Sequence, residues 1–440
     1  MLPKPAPTVA EHVTSRIAVF SPSAPRFDAT THYWHAEFAS MIAYLRTVFP
    51  NATTEFDVSG LTCAPLRLSV ERMLDQPEFV LIWARVWEAE ATRSLATLAR
   101  ELCPHARILV WGDAPLFMPQ YFQREPFDAA VIGGDPEIVI SDYIQSVVKS
   151  DSPGHGLCFK ADSGWKKTAL GRVLDPHHWP FPAQDVIPFN DYQTARENRG
   201  KPTDDLSFDV SRGCPGGCEW CVEPLKGGRV GRWRPAIDTV AYMLNGAGPY
   251  QQFQCHGPIF TGNRTWIEEF VTAIRQAGSV VPFKAVSLVN HLSDERLVSD
   301  LASVGMQAIG FGIETLTADS SQRRLTPKVV ERRLEQVAEL LHRYGVEPKA
   351  YTQIGLKGQN RDDVLYTHRV CLDLGFTVRP TGATPFHLLR HMTVDQLDQL
   401  DLTRWDRKSF FDESCGLSLS DFYRMIVSPG TFFDSVARAA

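Results

Sequence analysis

Three cysteines, Cys214, Cys218 and Cys221, follow the apolar run Leu206–Val210 with the spacing C-x3-C-x2-C. Thiolates this close together can hold three corners of a cubic iron–sulfur cluster and leave its fourth iron without a protein ligand. An iron open in that way is a place where a cofactor or substrate binds and reacts. The spacing is not the paired C-x2-C of a zinc ribbon, and no second cysteine pair exists to complete one. The next cysteine, Cys255, falls inside another strand-like run. Gly213, Gly216 and Gly217 make the segment a loop built for close approach rather than half of a disulfide.

The periodicity around this loop is that of an α/β protein. Strand-like runs at Arg16–Ser21, Thr54–Val58, Glu78–Trp83, Arg107–Trp111 and Asp128–Gly133 alternate with helical stretches, among them Tyr33–Val48 and Pro136–Val148. That alternation predicts a doubly wound, Rossmann-like parallel sheet over residues 1–150. A connecting segment, 151–204, is rich in Gly, Pro and aromatics and poor in periodicity. Over residues 205–385 six further strand-like runs alternate with helices, which predicts a partial (β/α)6 barrel with the cysteine loop on its carboxyl-terminal rim. Residues 386–440 read as a small helical tail that closes the barrel or carries substrate contacts.

The cysteine spacing, the strand before it and Trp220 just before the last cysteine resemble the radical S-adenosylmethionine (SAM) superfamily. The later turns resemble that family in order: Gly310-Phe-Gly-Ile-Glu-Thr315 after the fourth barrel strand, Gln353-Ile-Gly-Leu-Lys-Gly-Gln359 after the fifth, and Gly382-Ala-Thr-Pro385 after the sixth. The resemblance implies a [4Fe-4S] cluster on Cys214, Cys218 and Cys221, with SAM chelating the open iron. It places Trp220, Gly257, Asn263, Glu314, Ile354 and Gly355 around SAM, with Glu314 accepting from a ribose hydroxyl or an ammonium group. Thr261 and Arg264 are the residues that would instead order the loop after the second strand. That loop departs from the family's Gly-Gly-Glu pattern, since it reads Cys255-His-Gly-Pro-Ile-Phe-Thr-Gly-Asn.

The first 150 residues resemble the cobalamin-binding domain that precedes the radical SAM domain in one branch of the family. The turn Gly133-Gly-Asp-Pro-Glu137 and the bridge Leu174-Asp-Pro-His-His-Trp-Pro-Phe-Pro-Ala183 carry that likeness. The D-x-H-x-x-G signature of a cobalt-ligating histidine is absent. The domain therefore either binds cobalamin without that ligand or keeps the fold without the cofactor. The resemblance implies reductive cleavage of SAM and transfer of methyl (with cobalamin) or 3-amino-3-carboxypropyl (without it) to a small molecule of specialised metabolism. The electron would come from a donor such as flavodoxin or ferredoxin. Alternatives are aminocarboxypropyl transfer to trivalent arsenic, with Cys255 as a thiophilic neighbour, and modification of a peptide or RNA.

The formal charge of −6 argues against a nucleic-acid binder. No apolar run approaches the roughly 20 residues of a membrane span. The start, Met1-Leu-Pro-Lys-Pro-Ala-Pro, has no apolar core of a signal peptide, and nine cysteines without a framework fit a reducing cytoplasm. His177 and His178, and the pair His387 and His391, read as surface or packing residues rather than metal ligands. Cys255, Cys371 and Cys415 read as buried packing thiols.

Overall fold

The computed structural model describes residues 7–22, 32–58, 66–186, 189–190, 205–218, 220–317 and 329–433. The first six residues of the Pro-rich start and residues 191–204 of the connecting segment lie outside them. The chain forms two compact units, Met1–Arg234 with Pro385–Trp405, and Pro235–Thr384 with Asp406–Ala440. Among the described residues no helix is long and apolar enough to cross a membrane.

The first unit holds β1 (Arg16–Phe20), β2 (Thr53–Asp57), β3 (Phe79–Trp83), β4 (Arg107–Trp111) and β5 (Ala129–Val131), parallel and in the order β2-β1-β3-β4-β5. β3 is buried along its whole length, because helices cover both faces of such a sheet. That is why Phe79-Val-Leu-Ile-Trp83 reads as an unbroken apolar run. The strand order reverses between β1 and β3, where doubly wound folds hold their ligands. The connecting segment is more regular than its sequence suggested. β6 (Leu157–Ala161) and β7 (Gly164–Lys167) form a hairpin that extends the sheet antiparallel from β5. Only Asp162 and Ser163 join its strands, so the runs are too short to show a period.

β8 (Asp205–Asp209) leads into a two-stranded hairpin, β9 (Ser211–Arg212) with β10 (Arg232–Trp233). The three cysteines lie in the loop between those two strands.

The second unit holds β11 (Gln252–His256), β12 (Phe283–Ser287), β13 (Met306–Glu314), β14 (Glu347–Ile354) and β15 (Thr377–Gly382), all parallel and neighbours in chain order. A helix separates each strand from the next, with Asn263, Asp294 and Asn360 capping three of them. This is the sequential βα winding expected of a barrel wall. One face of the sheet is apolar: Phe253, Cys255, Phe283, Ala285, Ile309, Phe311 and Ala350 are buried. Phe260, Trp266, Phe270 and Phe283 interlock there through edge and stacked contacts at 5.1–5.8 Å. The other face carries Gln254, His256, Lys284, Val286, Tyr351, Gln353 and Thr381, all half-buried. A parallel sheet is usually apolar on both faces. A period of two here marks a polar face, which is where a ligand can be held.

Residues 406–433 pack on the second unit. Cys415, Leu417, Phe422, Met425, Ile426, Phe432 and Phe433 form one apolar cluster with Ile354 and Val364.

Candidate functional site

The cysteine loop is built by glycines and clamped by charge. Gly213 adopts φ +83°, and a Cβ there would stand 2.3 Å from the Val230 carbonyl oxygen. A Cβ on Gly227 would stand 2.5 Å from the amide nitrogen of Gly213. The two ends of the loop therefore pass each other at backbone distance, which no larger residue permits. The Cys214 amide donates to the Gly228 carbonyl at 3.0 Å, and the Gly216 amide donates to the Cys214 sulfur at 3.3 Å. The Cys221 amide donates to the Cys218 carbonyl at 3.2 Å.

All three cysteines are half-buried, as is Trp220 just before the last of them. Among the described residues no group of three or more His, Cys, Asp or Glu side chains stands close enough to hold a metal ion. The structure brings the three cysteines onto one loop.

At the neck of the loop Arg212 and Arg232 face each other as register partners. Arg232 donates both terminal nitrogens to Asp135, at 2.7 and 2.9 Å, and also reaches the Leu174 and Gly227 carbonyls at 3.0 Å. Arg212 donates to both oxygens of Glu137, at 3.1 and 2.7 Å, and through Nε to Asp209 at 2.8 Å. Burial opposes the charge on Arg212, but Glu137, Asp209 and Asp135 outweigh it and hold its pKa far above the ordinary value. Trp179, from the bridge segment, places its ring 4.8, 5.3 and 5.9 Å from the guanidinium carbons of Arg212, Arg232 and Arg234. Lys226, in the loop, pairs with Glu37 at 2.8 Å. His177 and His178, next to Trp179 in sequence, are exposed.

The sequence pointed to the cysteines and missed this clamp. The signal was the turn Gly133-Gly-Asp-Pro-Glu137 itself, whose carboxylates demand partners once they are buried.

In the second unit the expected SAM residues divide. Glu314 ends β13 with φ +59°, a left-handed conformation that side chains rarely hold without cause. Gln353, at the end of β14, has a buried side-chain oxygen with no partner. The turn that follows is organised by Gln359, which accepts from the Gly355 and Leu356 amides at 2.9 and 3.2 Å and donates to the Gln353 carbonyl at 3.2 Å. Gly355 takes φ +88° in that turn. Ile354 instead points into the apolar cluster and is 2% exposed, so its side chain does not reach a ligand. Asn263 accepts from the Trp266 amide at 3.2 Å and caps the helix Arg264–Gln276. Gly257 follows β11 and is buried. Thr261 bonds Ser287 and, at 2.9 Å, His291 Nδ1, while Arg264 pairs with Asp294 at 2.8 Å. Both hold the loop in place.

Burial pushes the Cys371 thiol up to about 12 and the Cys255 thiol higher still. Neutral thiols on the packed face are the opposite of what a soft-ion ligand needs. His387 and His391 fall in a 3-10 turn, Phe386–His391. Its three-residue period does not put positions four apart on one face.

Residues 208–371 match the model of the Radical SAM superfamily. The match includes the three cysteines, Glu314 and the Gln353–Gln359 turn. An uncharacterized methyltransferase of Pyrococcus horikoshii is 24% identical over 328 residues, covering 70% of this chain and 67% of that protein. Among solved structures, the radical SAM methyltransferase TsrM from Kitasatospora setae, with cobalamin and a [4Fe-4S] cluster bound, superposes with a TM-score of 0.65. It has 14% identity over 84% of this chain and 72% of its own. The cobalamin-dependent SAM radical enzyme OxsB, with aqua-cobalamin bound, also gives 0.65 at 14% identity, over 96% of this chain and 56% of its own. At such identities the likeness is one of fold.

Proposed function

We propose that this chain is a radical SAM group-transfer enzyme that methylates a small molecule. The observation that carries the reading is the C-x3-C-x2-C loop inside the stretch that matches the radical SAM domain. Cys214, Cys218 and Cys221 are the donor set for a [4Fe-4S] cluster: three half-buried cysteines on one loop whose backbone already donates to one sulfur. SAM is assigned to the polar face of the second unit, where the unpartnered Gln353 oxygen and the strained Glu314 fit a ligand rich in hydroxyl and ammonium donors. When bound, cluster and SAM together supply one-electron cleavage of a carbon–sulfur bond.

The chain's own residues do the rest. Glu314 accepts from SAM, Gln359 fixes the turn over which the adenine would lie, and the apolar layer under β11–β15 keeps water from that side of the site.

Cobalamin, bound in TsrM and OxsB, is assigned to the point where the strand order of the first sheet reverses. There Ser21, at the end of β1, is 3% exposed and its hydroxyl has no partner, which fits a ligand with acceptor groups. The β3 side of the same edge is closed by Trp83 and by the fully buried pair Arg85 and Glu88. In the absence of the family's D-x-H-x-x-G histidine, no imidazole from that position would ligate cobalt. A bound corrinoid would supply the methyl carrier.

The test is anaerobic reconstitution followed by incubation with SAM and a low-potential reductant such as dithionite. Formation of 5′-deoxyadenosine from the one-electron cleavage and of S-adenosylhomocysteine from methyl transfer to the corrinoid, with a corrinoid absorption spectrum, is expected. Methylthioadenosine in their place would move the reading to aminocarboxypropyl transfer. A C214A/C218A/C221A variant that still took up the cluster and cleaved SAM would end it.

A further inference from the structure

We propose that Arg212 and Arg232 are positioning residues for the three-cysteine loop. Each grips a carboxylate of the Gly133–Glu137 turn and so sets where the loop presents its thiolates. The proposal rests on the cluster reading above.

The neck of the loop is a two-residue hairpin, and these arginines are register partners in it. A hairpin so short cannot fix a long loop through its own backbone bonds. The fixing comes from outside. Arg232 makes a two-pronged contact with Asp135 and Arg212 with Glu137. All four side chains are nearly sealed from solvent, 4% and 6% exposed for the arginines and 1% and 4% for the acids. Trp179 lies against both guanidinium groups and restricts their rotation.

The contacts continue directly to a sulfur ligand. Arg232 donates to the Gly227 carbonyl, Gly227 lies under the amide of Gly213, and Gly213 precedes Cys214. On the other strand Arg212 stands two residues before the same cysteine. Any change in the position of Asp135 or Glu137 is therefore carried to Cys214 through side-chain and backbone contacts without a flexible link.

Stability alone does not explain the arrangement. Buried ion pairs replaced by apolar residues of similar size usually leave a protein equally stable or more so. What a two-pronged pair adds is direction. The same turn follows β5 at the carboxyl edge of the first sheet, so these pairs connect that edge to the cysteine loop within one unit.

The experiment replaces one pair by an apolar couple, R212M/E137M, in the full-length chain. Far-ultraviolet dichroism and thermal melting report the fold. Iron retention against a chelator, the electron paramagnetic resonance of the reduced cluster and its midpoint potential report the loop. The expected result is a folded chain, its melting lowered where Asp209 loses its partner, with iron retention weakened roughly tenfold and altered resonance positions. A folded double variant with wild-type iron retention, resonance and potential overturns the proposal while leaving the cluster reading intact. A wild-type chain that takes up no cluster overturns both. Should the double variant fail to fold, R212K keeps the charge but loses the fork, and unchanged iron retention in it is the overturning result.

Discussion

Glu314 stands at φ +59° at the end of β13, where a register shift against β14 separates it from Gly312. A non-glycine residue in the left-handed region costs about 1–2 kcal/mol, and such a cost persists only where the surroundings impose it. Two substitutions separate the backbone from the carboxylate. E314G removes the strain and the charge together, so the melting temperature should hold or rise while SAM binding falls. E314Q keeps the side chain and removes only the charge, so it should lose about tenfold in affinity without a change in melting. Equilibrium dialysis of SAM on the reconstituted protein decides the matter; an E314Q chain that binds as tightly as wild type removes Glu314 from the site. Gly213 gives the complementary case. G213A forces a Cβ against the Val230 carbonyl and should loosen the loop, measured as iron lost on desalting. These positions differ in how readable they were. Gly213 and Glu314 stand in motifs, so their identity announced them. Arg212 and Arg232 stand in no motif; only the fold shows that buried acids from a distant turn meet them.

At the scale of elements, strand and helix positions were legible because buried runs and 3.6-residue spacing leave plain marks. The hairpin β6–β7 was not, because two short strands show no period. The helix Arg361–Asp373 contains a consequence of burial that the sequence also hid. His368 is fully buried, stacked on Phe433 at 5.6 Å. Its Nδ1 stands 2.8 Å from the Val364 carbonyl, which can only accept, so Nδ1 carries the proton and Nε2 accepts from the Thr352 hydroxyl at 2.9 Å. That is a neutral imidazole with both nitrogens used. Burial lowers its pKa to about 4. The unfolded chain binds the proton at about pH 6.5, above the folded value, so the folded state gives up stability as the medium is acidified. The stability His368 confers is whole above pH 6.5 and drains away between there and about pH 4, by something on the order of 2–3 kcal/mol. Urea titrations at pH 7, 5.5 and 4.5 should show this loss in the wild type and a shallower one in H368Q. Equal slopes for the two would mean that other groups govern the acid limb.

At the scale of the whole molecule, the chain's path is the part that local pattern cannot reveal. The tail reads as one helical region, yet Pro385–Trp405 belongs to the first unit and Asp406–Ala440 to the second. The reason is in the contacts. Phe386 stacks on Phe117 at 5.0 Å, Gln120 donates to the Leu389 and Met392 carbonyls at 2.6 and 2.8 Å, and Arg390 donates to the Leu116 carbonyl at 2.8 Å. Asp398 takes a two-pronged contact from Arg124 at 2.6 and 2.7 Å, with Arg93 at 3.5 Å. Those partners lie some 270 residues earlier in the chain, and sequence periodicity carries no information over that distance. The segment after it contributes Phe422, Met425, Phe432 and Phe433 to the cluster around Ile354 and Val364. Two truncations therefore injure different units. A chain ending at Trp405 keeps the contacts of the first unit and strips the second of its apolar cluster. A chain ending at Thr384 loses both. Hydrogen exchange followed by mass spectrometry reads the units separately through their peptides. With the 405 end-point, peptides from β1, β3 and β4 should keep wild-type protection while those from β14 and the helix Arg361–Asp373 lose it. With the 384 end-point, peptides spanning Ala114–Phe122 should open as well. If those peptides exchange alike in both truncations, the returning segment contributes nothing to the first unit.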